Sequence, residues 1–496
     1  LGNNRFDQTS QNDFIKIPDS PIAYWVSDNM RKAFQNNQAI GKFATLREGI
    51  HTGKNEEYIR SWSELKFGRI FFNAKDIYEF DMSGKKYAPY NKGGVFRRWY
   101  GNNEQVIAWD KENRESMAEL KGHVRPSQRL YFKKGIEWSL ISGSHFGIRS
   151  YPQGMLNDVA SHYLISKDDY SQTVALGFLA SKVNSEILKI LNPTLNFSSG
   201  VVAKVPLILP SKIQCMEIVN EGVELSKLDW DSYERSWAFR GIVFLFDPFH
   251  LQSSLEKSFT AWENQNKKNV SEMKRLEEEN NRLFINAYGL QDEISPEVPI
   301  EQITLTVNPA YRYGMKGTEE ERNTRFREDT MAELVSYAIG CMMGRYSLDE
   351  PGLIYANSGN EGFDDLVERG AYTKFPADDD GIIPLTDKEW FTDDAANRLV
   401  EFISVAWDNE YLEENLDFLA ANLSPKKGED SRDTIRRYLC DKFYKDHLQT
   451  YKKRPIYWLF SSGKQKAFQC LVYLHRYNES TLARMRTEYV IPLTAK

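Results

Sequence analysis

"VVAKVPLILPSKIQCMEIVNEGVELSKLDW", residues 201–230, changes character in its middle. Up to Pro210 it is short, β-branched and proline-bounded. From there Ile213, Ile218, Val219, Val223, Leu225 and Leu228 follow the spacing of an amphipathic helix. A strand-rich region therefore ends near residue 210 and a helix leaves it. Upstream, "LKFGRIFFNA", "RLYFKKGIEWSLIS" and "ASHYLISK" are aromatic and β-branched runs bounded by Gly and Asn, which predicts strands joined by long loops. One helical insertion is expected in "QTVALGFLASKVNSEILKILN", where Val174, Leu176, Leu179, Val183, Ile187, Leu188 and Leu191 lie near a 3.6 period.

Downstream, residues 251–290 are rich in Glu, Lys and Asn with sparse apolar spacing, the composition of a long solvent-facing helix. The last third reads as helical in "TMAELVSYAIGCMMGRYSL", "DDAANRLVEFISVAWD", "YLEENLDFLAANL", "TIRRYLCDKFYKDHLQTY" and "KQKAFQCLVYLHRYNESTLARMRTEYV". A loop over 350–390 interrupts it, longer than the roughly 15 residues usual in compact domains. The expected class is α+β: a strand-rich domain over 41–210, a helical spacer over 211–300 and a mainly α-helical domain over 301–496, with 1–40 leading in.

Composition excludes several functions. No apolar run approaches the ~20 residues of a membrane span. The four cysteines (215, 341, 440, 470) form no Cys-x-x-Cys pair and the seven histidines no metal-binding cluster, so neither metal nor disulfide is expected and a reducing cytoplasm fits. The opening "LGNNRFDQTS" has no initiator Met and no signal-peptide pattern, and reads as part of something longer. Residues 1–210 hold 28 Lys+Arg against 21 Asp+Glu and the rest 36 against 49, so the first part is the better match for a polyanion.

Within "TVNPAYRYGM", Asn308-Pro309-Ala310-Tyr311 is one residue away from the Asn-Pro-Pro-Tyr with which amino-methyltransferases hold a flipped adenine. No glycine-rich turn after a strand accompanies it. "YNKGGVFRRWY" leads into a basic aromatic run and "NSGNEGFDD" follows no strand, so the tetrad is expected to be a turn. No catalytic or cofactor-binding residue is assigned. The recognition candidates lie elsewhere. "KKYAPYNKGGVFRRWYGNN" supplies Lys86, Lys92, Arg97 and Arg98 for phosphates, joined by Lys54 and by Lys133 and Lys134. Base reading is assigned to Asn55 in the turn "HTGKN", to Ser144, His145 and Arg149 in "ISGSHFGIRSYP", and to Tyr372, Thr373 and Lys374 beside Arg369 in "ERGAYTKFPADDDG".

"ATLREGIHTGKNEEYIRSW", "KKYAPYNKGGVFRRWYGNNEQVIAWD", "ISGSHFGIRSYPQG", "IGCMMGRYSLDEPGLIYA", "FPADDDGIIPL" and "KRPIYWLFSSGKQKAFQCLVYLHRYN", in this order, resemble the PglX family, adenine-specific DNA methyltransferases of BREX phage-defence systems. "VAKVPLILPSKIQ" before a helix is similar to the close of target-recognition domains in restriction-modification specificity subunits. The resemblance implies a DNA target-recognition domain over 41–210, residues 1–40 as the connection from a catalytic domain outside this sequence, and S-adenosylmethionine as cofactor of the parent enzyme only. It implies double-stranded DNA as partner, with other BREX proteins as further partners; the basic balance of residues 1–210 adds the expectation that an acidic phage protein mimicking DNA could occupy the same surface. The competing reading is an interaction scaffold in a defence complex without DNA readout.

Overall fold

The computed structural model describes residues 10–494 apart from 144, 193, 195, 209–211, 247 and 252–253. The chain is mixed α+β and divides into two compact units. The first comprises Leu1–Arg60, Ile70–Trp230 and Lys268–Gly314; the second comprises Ser61–Arg69, Asp231–Lys267 and Met315–Lys496. The stretch 211–300, expected to be a separate spacer, contributes residues to both.

In the first unit, β1 (Ala44–Arg47), β5 (Gly135–Ser139), β6 (Ile148–Tyr151) and β8 (Ser161–Ser166) form an antiparallel sheet in the order β1-β8-β5-β6. A second sheet runs β2-β4-β3-β7, from β2 (Ile59–Ser61), β3 (Tyr87–Asn91), β4 (Gln105–Ala108) and β7 (Leu156–Asn157). Strand side chains alternate, so facing residues share one side of a sheet. Leu46, Leu164 and Ile136 make one buried row, and Arg47, Tyr163, Glu137 and Arg149 make the adjacent row on the opposite face.

The expected helical insertion is two helices, Asp169–Ala180 and Lys182–Leu191. Ser181 divides them: its hydroxyl donates to the Phe178 carbonyl and accepts from the Asn184 amide, ending one helix and capping the next. The helix Leu255–Tyr288 corrects the expectation of a solvated arm. In its first-unit part Val270, Met273, Glu277, Asn280, Phe284 and Tyr288 form a buried stripe. Asn280 donates to the Gly177 carbonyl and Asn281 accepts from the Lys182 amide, so polar residues fasten the helix down.

The second unit packs Glu319–Met342, Ala395–Ala406, Leu412–Ala421, Ser431–Asp441 and Phe443–Thr450 with a small antiparallel sheet. Its order is β10-β11-β9, from β9 (Ile382–Pro384), β10 (Tyr457–Ser461) and β11 (Gln469–Tyr473). The helix expected through "KQKAFQCLVYLHRYN" is thus overturned at β11, whose five residues are all buried and pair with β10, Cys470, Leu471 and Val472 pairing with β9 as well. The 350–390 segment is packed, with Tyr355, Phe363, Tyr372 and Phe375 buried.

Glu234 is buried in this unit, accepting from Ser336 Oγ (2.9 Å) and Tyr451 OH (3.2 Å) while its Oε1 has no partner. Burial outweighs the pull of Arg345 and pushes its carboxyl up to about 6. A folded pKa above the unfolded one stabilises below about pH 4.5, and that contribution is lost as pH rises through about 6. Glu234→Gln is therefore expected to raise stability at pH 7.5 by roughly 2 kcal/mol and to be neutral at pH 4.5, measured by urea unfolding at both values. Equal effects at the two pH values would refute it.

Candidate nucleic-acid interface

Loops of the first unit meet where β1, β3 and β5 end and β8 begins. Gly49 is required there by close approach: a Cβ would stand 2.1 Å from the Asn157 carbonyl oxygen and 2.4 Å from that of Asp158. The space lets Ile50 N donate to Asn157 O (2.7 Å) and Val159 N to Ile50 O (3.1 Å). Asp158 N donates to Asn91 O (2.8 Å), and Asn91 Nδ2 to Asn157 Oδ1 (2.9 Å). Gly93, at φ +70°, brings the next loop against Ala160 and Ser139, and Ser139 Oγ donates to Gly94 O (3.1 Å). The His145 ring lies 5.2 Å from that of Phe96. Turns at 48–52, 91–96, 139–143 with 145–146, and 157–160 thereby form one loop surface.

This surface carries half-buried Lys92 and exposed His145, and the first turn leads through His51 to exposed Lys54 and Asn55. Lys54 is tied to Glu57 at 2.8 Å, and Asn55 accepts from Thr52 Oγ1 at 2.6 Å. Partial desolvation of the ring against its neighbours first, then the Arg98 charge, lower the His145 imidazole below its ordinary range. The shift favours the neutral ring, which suits hydrogen bonding to a base edge better than holding a phosphate. Ser144 lies outside the described residues. Beside His145 is an open groove of about 640 Å³ lined by Trp25, Arg98, Lys182, Ser185 and Lys189 among others. Trp25, 51% exposed, was treated in the sequence only as part of a connection; the signal was the aromatic pair Tyr24-Trp25 beside the helix cap Ser27.

Other candidates lie apart. Lys86, half-buried near the Tyr87 ring, precedes β3. Exposed Lys133 and Lys134 precede β5, engaged with the Lys75 carbonyl and Asp169. All three mark the end of the strands opposite the loop surface. Arg97, Arg98 and Arg149 correct the expectation of surface contact. Arg97 is buried against Asp229 (2.6 Å) and Thr306 Oγ1, and Arg98 against Glu277 (2.5 Å). Arg149, 1% exposed, pairs with Glu137 at 2.7 Å. Their guanidinium groups hold the protein's own elements together. In the second unit Tyr372 is likewise buried, its hydroxyl donating to Gly344 O (2.7 Å). Thr373 and Lys374 are exposed, their amides donating to Asp349, and Arg369 pairs with Glu350. The acidic run beside them is a turn, where Asp378 Oδ1 accepts from the amides of Asp380 and Gly381.

Neither methyltransferase-like segment fits a nucleoside cofactor. Asn308 caps the short helix Pro309–Tyr313, its Oδ1 accepting from Ala310 N and its Nδ2 donating to Ile300 O and Ile303 O. Gly93 and Gly94 lead into the buried Arg97-Arg98-Trp99 loop, where a cofactor cradle needs a helix. Among the described residues no group of three or more His, Cys, Asp or Glu is placed to hold a metal, and no helix is long and apolar enough to cross a membrane.

No family model matches the chain. Over 99% of its length it is 41% identical to the adenine-specific methyltransferase BrxX of Escherichia coli O9:H4 (strain HS), of which it covers 40%. Over 98% it is 37% identical to the adenine-specific methyltransferase PglX of Lacticaseibacillus casei (strain Zhang), of which it covers 39%. Both relatives are adenine-specific methyltransferases by name. The chain belongs to the PglX family and spans about two fifths of the length of these relatives.

Proposed function

We propose that this chain is the DNA-recognising part of a cytoplasmic adenine-specific methyltransferase in BREX phage defence, which marks host DNA at a short asymmetric site. The near-complete match to two such methyltransferases carries the reading. Support comes from the loop surface of the first unit, in the stretch likened to target-recognition domains of specificity subunits. Lys92 and Lys54 would set register on phosphates while Asn55 and His145 read base edges. Within the second unit, exposed Thr373 and Lys374 are separate candidates. Methyl transfer from S-adenosylmethionine belongs to the parent enzyme outside these residues. Other BREX proteins and an acidic phage protein mimicking DNA are proposed partners. The scaffold alternative draws on the acidic balance after residue 210.

The test is binding of duplex DNA by fluorescence anisotropy across salt. With ~6 phosphate contacts, affinity should fall by about 10³ between 50 and 200 mM salt. Absent or salt-insensitive binding would favour the scaffold.

A further inference from the structure

The edge strand β1 ends in Arg47, which faces Tyr163 across the strand pair. Tyr163 belongs to a group of buried tyrosines in the first unit: it neighbours Tyr131 and Tyr151, and Tyr131 neighbours Tyr90. Two further arginines come from the loop before β5. Val124 pairs with His51 in an antiparallel bridge, placing Arg125 beside the turn that follows β1. Ser127, at φ +53°, reverses the chain into the short turn Gln128–Leu130 that carries Arg129. Tyr163 feels the charges of Arg47 and Arg129, and Tyr131 that of Arg125.

Arg47 and Arg129 are exposed and Arg125 is half-buried, and none of the three makes an ion pair among the described residues. Arg47 donates to its neighbouring Leu46 carbonyl. The nearest carboxylate in sequence, Glu48, acts on His162. Tyr131 is 9% exposed, and its hydroxyl has no hydrogen-bond partner. The Tyr131 hydroxyl is enclosed, so the donors left open to acceptor oxygens from outside are the three unpaired guanidiniums. By contrast, Arg97, Arg98 and Arg149 all have carboxylate partners.

We infer that Arg47, Arg125 and Arg129, around Tyr131 and Tyr163, form a binding site for the phosphodiester backbone of duplex DNA. The inference rests on the proposed DNA-recognition function and assigns phosphate contacts that the glycine- and lysine-rich runs did not suggest. Arginine suits the task because its fork matches phosphate oxygens two at a time.

The test compares the whole chain with Arg47→Gln/Arg125→Gln/Arg129→Gln and with the corresponding triple Lys variant, by duplex anisotropy over a salt series. The Gln variant should bind more weakly, with the slope of log affinity against log salt shallower by about 0.9 per lost contact, roughly 2.7 in all. The Lys variant should keep most of the slope, separating charge from folding. If the parent chain binds with a steep slope and the Gln variant matches it, this site is refuted and the recognition function stands. If the parent chain does not bind duplex DNA, both fall.

Discussion

Glu277→Ala is expected to lower the unfolding free energy of the first unit by about 3–5 kcal/mol, the cost of removing one partner from a buried ion pair. Glu277 is 3% exposed and receives two donors, Arg98 Nη1 at 2.5 Å and Trp99 Nε1 at 3.0 Å. Burial pushes its carboxyl up even against the Arg98 charge. Alanine would leave a guanidinium that is 7% exposed, whose Nε already lacks a partner, with no counter-charge. It would also strand the indole N–H of Trp99. Arg98 N is meanwhile held by Thr304 Oγ1, so the loop cannot easily swing the charge into solvent. Urea unfolding followed by tryptophan fluorescence measures the effect. The double variant Arg98→Met/Glu277→Leu should recover part of it, because a pair replaced by apolar groups of similar volume leaves no uncompensated charge, only the Trp99 indole N–H without its acceptor. A loss below about 1 kcal/mol in the single variant would show that the pair is solvated.

The same pair explains what the sequence concealed. "RRWY" reads as a basic surface run because its neighbours are glycine, lysine and asparagine. The carboxylates that neutralise it, Asp229 and Glu277, are 132 and 179 residues away. No local pattern announces a partner at that distance. The helix Leu255–Tyr288 was obscured for a related reason: Glu277, Asn280 and Asn281 occupy buried positions on it, so the apolar period is broken by residues that bond to carbonyls, amides and side chains of other elements. By contrast, the strand-rich character before residue 210 and the helices of the last third were legible, because they rest on periodicity, which is local. Strand β11 was misread although "QCLVY" has β-branched and aromatic composition, because the helical text on either side of it dominated the window. In the candidate interface, the glycines at 93 and 94 marked one of the loops that the structure brings together, while Gly49, whose role depends on residues 157 and 158, gave no local sign.

Arg149→Met should cost about 3–5 kcal/mol of stability, and its effect on DNA recognition should follow from that loss alone. Arg149 and Glu137 face each other on neighbouring strands, so the hairpin "GIEWS" with "GIRSY" already contained the pair. Glu137 Oε1 accepts from Arg149 Nε at 2.7 Å, and its other oxygen accepts from Ser161 Oγ. Arg149 Nη1 reaches the Arg97 carbonyl at 3.3 Å, and Trp99 is bridged to Arg149 through the backbone. The residue thus ties the central strands to the loop that leads from Gly93 to Trp99. Removing it leaves Glu137, 2% exposed, as an unpaired buried charge. Glu137→Gln in addition removes that charge and keeps an acceptor for Ser161, so the double variant should be more stable than the single one. A base-reading arginine behaves differently. Its loss relaxes specificity at one position by about 1–3 kcal/mol whatever happens to Glu137. Mapping methylated adenines in cells carrying the parent enzyme with Arg149→Met/Glu137→Gln separates the two roles. An unchanged motif with restored stability places Arg149 in the framework. A motif relaxed at one base in the stable double variant would return it to base reading and overturn the structural assignment.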